Sequence, residues 1–478
     1  MSRRTDGLPV KDSFRRGRRR RRIALGASLV VLALVAAVVA VITLRSVPLT
    51  DDPTAFGDDL TEVMERIRRE NAEVERKHPD AHVTIVALLP MSGEVSEISM
   101  SRQTIRHGLQ GIYLAQLWRN RLEQAPPYIR VLVGSNGPGD WAATFADLER
   151  RAAGERIVAV TGLGASTEST RRSVADLSER YYGMSAAVIT SDEFGPFKGL
   201  ARVAPLNSDQ AKAVLRLARH INPKLRATVV KDRNRDDSYS KTLGDHFTRE
   251  LTDKEVEETL TFDAGAGSPG TVLGLNAERI CTSEANTVLY AGRADHLPAL
   301  MAGLSRHAEC ADRGITVISG DDVAELARPV KQPMWGDQAI RLFFTALAHS
   351  EGVTQTGGPV IADMKKRFDD VTPNAYNVLY PKEPLDDGMA IVHHDAMYLA
   401  IRAVEKFAGE LPTGRDIASV LTSGTLTVAG ASGPFTIGDG GDPVGKNIPV
   451  LQLGPDGSAT FYQWAQTASA SSVPRPGA

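Results

Sequence analysis

The sequence predicts an α/β protein of two doubly wound lobes preceded by one transmembrane helix. Three observations predict it. From residue 83 onward, short apolar runs alternate with amphipathic segments in a β-α-β rhythm. That rhythm continues for roughly 400 residues, more than one comfortable hydrophobic core holds, so the chain divides. Ahead of it stands a stretch of 22 residues, 23–44, without a single charge.

Composition sets the outer bounds. Hydrophobic residues at 42% and charged residues at 24% lie near globular averages, which excludes a disordered chain. The formal charge of −2 hides an asymmetry, because residues 1–22 carry ten Lys/Arg and only two Asp/Glu. The remainder is therefore acidic, and an acidic body excludes nucleic-acid binding, which needs a basic face.

The apolar segment IALGASLVVLALVAAVVAVITL (23–44) reaches roughly 33 Å as a helix, enough to span a bilayer. RRGRRRRR (15–22) precedes it and holds that flank in the cytoplasm, which places the body outside the membrane. A cleaved signal peptide is the rival reading, but its apolar region runs to only about 7–15 residues. Residues 46–82 read as a tether. Leu60, Val63, Met64, Ile67 and Val74 recur at helical intervals there, and Pro79 closes the segment.

VTIVALLP (83–90), YIRVLVG (128–134) and IVAVTGLG (157–164) read as buried strands, with helices over 105–120 and 141–153 between them. Consecutive apolar residues within a strand belong to a parallel sheet covered on both faces. SAAVITS (185–191), RATVVKD (226–232), NTVLYAG (286–292) and GITVISG (314–320) continue the series. RLFFTALA (341–348) is strand-like, 360–368 and 396–407 are helical, and 426–453 is rich in hairpins. In such sheets ligands bind beyond the carboxyl ends of the strands, at the topological switch point. The loops there are polar and rich in hydroxyls: GASTEST (164–170), TSDEFG (190–195), DRNRDDSYS (232–240), GRAD (292–295) and GDDVAE (320–325).

Several of these segments together carry a resemblance. The first strand with its Ser-Gly loop, GLGAST, LARVAPLNSDQAKAV (200–214), DDSYSKTL (236–243), YAGRADHLPALMAGLSR (290–306), ISGDD (318–322) and HHDAMYLAIRAVEK (393–406) resemble the type I periplasmic binding protein fold. The order and spacing are similar to those of the branched-chain amino-acid receptor family of ABC importers, over about residues 83–464. The resemblance implies two lobes joined by three crossovers that close on a small polar ligand, without enzymatic activity or cofactor, and with an ABC permease as a possible partner. Together with the segments read from the residues, it gives the organisation 1–22 basic tail, 23–44 transmembrane helix, 45–82 tether helix, 83–206 and 333–430 first lobe, 207–332 and 431–465 second lobe, and 466–478 disordered tail.

The resemblance also assigns a site. Ser166 and Thr167 match the loop that takes a ligand carboxylate, and Thr190 and Ser191 begin a second binding loop. Tyr239 matches an aromatic residue that covers the ligand, Asp321 the acid that pairs with its ammonium, and Arg293 lines the cleft nearby. Read from the residues alone, Ser166 and Thr167 serve equally well as helix caps, Tyr239 as lobe packing, and Asp321 and Asp322 as turn acids. The chain departs from the family at TSDEFGPFKG, where Asp192 and Glu193 bring extra negative charge and favour a cationic or polyhydroxylated ligand.

Catalytic motifs are missing: there is no HExxH, paired CxxC, GxSxG or phosphate-cradling run. His393, His394 and Asp395 read as packing at a helix start, since neighbouring helical residues point about 100° apart. Cys281 and Cys310 flank strand 286–292 at its amino edge, where an extracytoplasmic body permits a disulfide.

Overall fold

A computed structural model describes residue 47 and residues 49–466, apart from 94–97, 123–125, 337–338, 355–359 and 408. The basic tail, the expected transmembrane helix and residues 467–478 of the expected disordered tail lie outside the described residues. Among the described residues no helix is long and apolar enough to cross a membrane.

The first sheet has five parallel strands in the order β2-β1-β3-β4-β5: β1 His82–Leu89, β2 Tyr128–Ser135, β3 Ile157–Gly162, β4 Gly183–Ala186 and β5 Leu200–Arg202. One face packs on the helices Thr61–Lys77, Arg102–Leu122 and Met389–Val404, the other on Trp141–Arg151 and Glu168–Glu179. The second sheet runs β15-β14-β10-β9-β8-β6-β7. Its parallel part comprises β6 Ala227–Asp232, β7 Val256–Phe262, β8 Thr287–Ala291, β9 Ile315–Ser319 and β10 Ile340–Thr345, and β14 Asn447–Leu453 and β15 Ala459–Gln466 add antiparallel strands at one edge. Both sheets wind outward from a centre, so each has a switch point: between β1 and β3 in the first, between β6 and β8 in the second.

The chain passes between the sheets three times, after β5, after β10, and between β13 (Pro443–Val444) and β14. These crossings correct two expected boundaries. Segment 341–348, expected in the first lobe, lies mostly in the second sheet as β10, because it pairs in parallel with β9 from Ile340↔Ile315 onward and buries Leu342 and Phe344 in that lobe's core. The return falls near residue 446 rather than 431: β12 (Gly433–Ile437) buries Phe435 and Ile437 in the first lobe's core.

The expected tether is part of the first lobe. Val63, Met64 and Ile67 are buried in its core, and Thr50 exchanges hydrogen bonds with Val133 on β2. β4 is shorter than the expected strand 185–191 because its partner β3 ends at Gly162, whose positive φ of 93° turns the chain away opposite Ala186. Helix Met389–Val404 begins earlier than its apolar run suggested and sits so close to Arg102–Leu122 that a Cβ on Gly111 would lie 2.0 Å from the carbonyl of Ala390. His393, His394 and Asp395 are fully buried in this helix. Asp395 accepts from the backbone N–H groups of Ala431 and Ser432 at 2.8 and 2.7 Å, which fixes the turn before β12. Cys281 and Cys310 form a disulfide that closes a loop of sequence separation 29 around β8.

Candidate functional site: the cleft between the lobes

The two switch points face each other, and the loops that leave them build one cleft. From the first lobe come Ser99, Ser101 and Thr167; from the second come Asp232, the Asn234–Asp237 turn after β6, and Arg293 to His296 after β8. The cleft has a volume of about 610 Å³, within the span of small-molecule sites. Behind it lies an inner cavity of about 20 Å³, bordered by Thr190, Tyr239, Arg293 and Asp321, which is room for about one water.

The inner cavity is small because Arg293 fills the space. Its Nη2 donates to Asp237 at 2.6 Å, its Nη1 to Asp322 at 2.7 Å, and Nη2 reaches across the cleft to the backbone carbonyl of Ser166 at 3.0 Å. The guanidinium carbon lies 4.5 Å from the ring centroid of Tyr239, a cation–π stack. Burial opposes the charge on Arg293, but Asp237 and Asp322 outweigh it and hold the group above its usual pKa. Tyr239, fully buried, accepts at its hydroxyl from the N–H of Asp322, so its ring is a floor for Arg293.

The other expected site residues are brought to the same region, and most are engaged within the protein. The Ser166 hydroxyl accepts from the N–H groups of Thr190 and Ser191 at 3.0 and 3.1 Å, tying two loops of the first lobe together. Thr167 caps the helix Glu168–Glu179 through the N–H of Thr170, and it also borders the outer cleft. Ser191 caps the short turn Asp192–Phe194 and donates to the carbonyl of Ser238 on the opposite lobe. Asp321 accepts from Gln210 at 2.7 Å, and burial pushes its carboxyl up to about 7.

Asp192 and Glu193, expected to charge the site, instead fasten the lobes outside it. Asp192 accepts from the N–H of Ser208 and lies 3.2 Å from His246, and Glu193 pairs with Lys241. The negative charge of the cleft has other sources that the site assignment omitted. Asp232, at the carboxyl end of β6, is 4% exposed; its Oδ1 accepts from Asn234 and Ala264, and its Oδ2 has no hydrogen-bond partner. Glu325 accepts from the N–H of Ser101 across the cleft with Oε2, and its Oε1 also has no partner. Burial raises the pKa of both carboxyls, that of Glu325 to about 7. Their position was legible, since both lie in loops at strand carboxyl ends beside the switch.

Among the described residues no group of three or more His, Cys, Asp or Glu is placed to hold a metal ion. Compared with family models and with curated proteins, the sequence matches none. Solved structures do match. A leucine binding protein from Thermotoga maritima is 19% identical with a TM-score of 0.60, covering 80% of this chain and 98% of its own. A branched-chain amino acid transporter substrate binding protein from Streptococcus pneumoniae, in complex with isoleucine, is 16% identical with a TM-score of 0.60, covering 80% and 99%. A solute binding protein of an ABC transporter from Rhodopseudomonas palustris, in complex with 3,4-dihydroxybenzoic acid, is 14% identical with a TM-score of 0.58, covering 83% and 99%. The architecture shared with them is the type I periplasmic binding protein fold.

Proposed function

We propose that the chain is an extracytoplasmic solute-binding protein, held at the membrane by residues 23–44 and serving as the receptor of an ABC importer. One observation carries this reading: a cleft of about 610 Å³ opens where the switch points of two wound sheets face each other. A solute bound there touches both lobes and stabilises their closed arrangement, because it has greater affinity for that arrangement than for the open one. The Arg run followed by a charge-free span supports the anchor, and the solved structures of like fold support solute binding. Ser99, Ser101 and Thr167 offer hydroxyls from one side, and the carboxylates of the second lobe face them.

A second reading, a sensing or assembly ectodomain without transport, draws support from Arg293. Its bond to the Ser166 carbonyl joins the lobes at the inner cavity through the chain's own side chain.

The test is a thermal-shift panel of amino acids, amines, sugars, amides and benzoates on the full-length chain, followed by small-angle scattering with any compound that stabilises it. A ligand raises the melting temperature by mass action. The receptor reading expects at least one stabilising compound and a narrower distribution of lobe separations in its presence. A panel with no stabilising compound and unchanged scattering overturns the receptor reading and, within the second, favours assembly over sensing.

A further inference from the structure

We propose that the outer cleft binds a small organic cation, one bearing ammonium or guanidinium groups, against the unpartnered carboxylate oxygens of Asp232 and Glu325. This deepens the solute-binding reading and rests on it. Asp232 Oδ2 and Glu325 Oε1 are buried without a hydrogen-bond partner of their own, although Ser101 and Thr104 lie beside the Glu325 carboxyl and help to hold its charge, and both residues border the same cavity. A buried carboxylate oxygen left without a donor is costly, and a cation with N–H groups is the ligand that offsets the cost.

The surrounding charges point the same way. Arg293 and Arg172 are taken up by partners of their own, Asp237 and Asp322 for the first and Glu168 for the second, and Arg328, the remaining arginine of the lining, is exposed. Among the described residues no ion pair joins a basic side chain to Asp232 or Glu325, and the basic group acting on Asp232 is His296, which lowers its pKa against the effect of burial. A carboxylate-bearing ligand would meet these acids directly. The inner cavity, which Arg293 fills down to about 20 Å³, is too small for an aliphatic amino acid. A metal ion is the other cationic candidate, and the described residues form no ligating group of three for one. Burial has pushed Glu325 up to about 7, so near neutral pH a bound ammonium displaces its proton.

The experiment titrates the full-length chain calorimetrically with agmatine, putrescine, leucine and 4-hydroxybenzoate at pH 7, in two buffers of different ionisation enthalpy. Agmatine or putrescine is expected to bind with proton release. Asp232→Asn and Glu325→Gln, which keep shape and remove charge, should each weaken binding about tenfold or more, the scale of a charge-assisted hydrogen bond. Glu325→Gln should also abolish the proton release, a change that a purely structural role would not produce. Binding of leucine or 4-hydroxybenzoate but of neither amine overturns the cationic class and leaves the receptor reading standing. Amine binding that is equally tight in both variants overturns the assignment of these carboxylates. Absence of any ligand from the wider thermal-shift panel removes the receptor reading and this inference together. The wild-type proton count keeps the idea testable if a variant fails to fold.

Discussion

Replacing Arg293 with alanine tests whether the inner site is held by this one cation. The side chain is about nine-tenths buried and its guanidinium meets two carboxylates that are themselves nearly buried, Asp237 and Asp322, with side-chain exposures of 9% and 8%. Removing one member of a buried ion cluster leaves the other charges unneutralised, a loss of about 3–5 kcal/mol. The Tyr239 stack adds about 1 kcal/mol more. Part of the loss is pH-dependent. The Asp322 carboxyl, already raised by burial, rises further without the guanidinium that lowers it, so it binds a proton in the folded state before the unfolded chain does, and the deficit shrinks as pH falls. Urea unfolding at pH 8 and pH 5 measures both effects, with Arg293→Ala expected to lose several kcal/mol at pH 8 and visibly less at pH 5. A loss below about 1 kcal/mol at pH 8, or one equal at the two values, would mean that Arg293 does not hold the inner site.

Three further outcomes follow from the structure. Reducing the Cys281–Cys310 bond, which closes a loop of sequence separation 29, should destabilise the second lobe by roughly 3–4 kcal/mol in the chain-entropy picture, read as a lowered melting midpoint with dithiothreitol. Asp321→Asn keeps an acceptor for Gln210 and removes a carboxyl raised to about 7. The wild-type group contributes stability below its unfolded pKa and loses it as pH rises through 7, so the variant should match wild type near pH 4 and exceed it at pH 8, by on the order of 3 kcal/mol in urea titrations. Gly111→Ala drives a methyl group to within 2.0 Å of the Ala390 carbonyl and should cost about 2–3 kcal/mol, net of a small gain in helix propensity, measured by thermal unfolding.

Much of the fold was legible because buried parallel strands declare themselves as continuous apolar runs. β1, β2, β6, β8 and β9 all fall within a residue or two of where such runs place them. β7, VEETLTF, was not legible: it is an edge strand whose Thr side chains face solvent and whose Glu side chains pair with Arg226 and Arg279, so it lacks the apolar run of its neighbours. β10 was legible as a strand but its lobe was not, since apolarity says that Leu342 is buried and not which sheet buries it. The site shows the same division. Strand ends at a switch point can be read from order alone, which located the loops of Thr167, Asp237 and Arg293. The direction each side chain takes depends on partners distant in sequence, such as Arg293 with the carbonyl of Ser166, 127 residues away.

That partnership gives the cleft an unusual logic. A guanidinium tethered to the chain occupies the inner site, positioned between Asp237, Asp322 and the Tyr239 ring. A tethered group competes at an effective concentration in the millimolar range or above, so a free cation does not displace it under ordinary conditions. Once the tether is removed, the vacated seat keeps two carboxylates and an aromatic floor, which suit an exogenous guanidinium. Ethylguanidinium at about 10 mM should therefore raise the melting temperature of Arg293→Ala by more than it raises that of wild type, because the variant offers the inner seat in addition to the outer cleft. Equal increments in the two proteins would mean that the seat collapses when Arg293 is lost. The tight inner cavity would then be a property of packing between the lobes, with the cation a passenger in it.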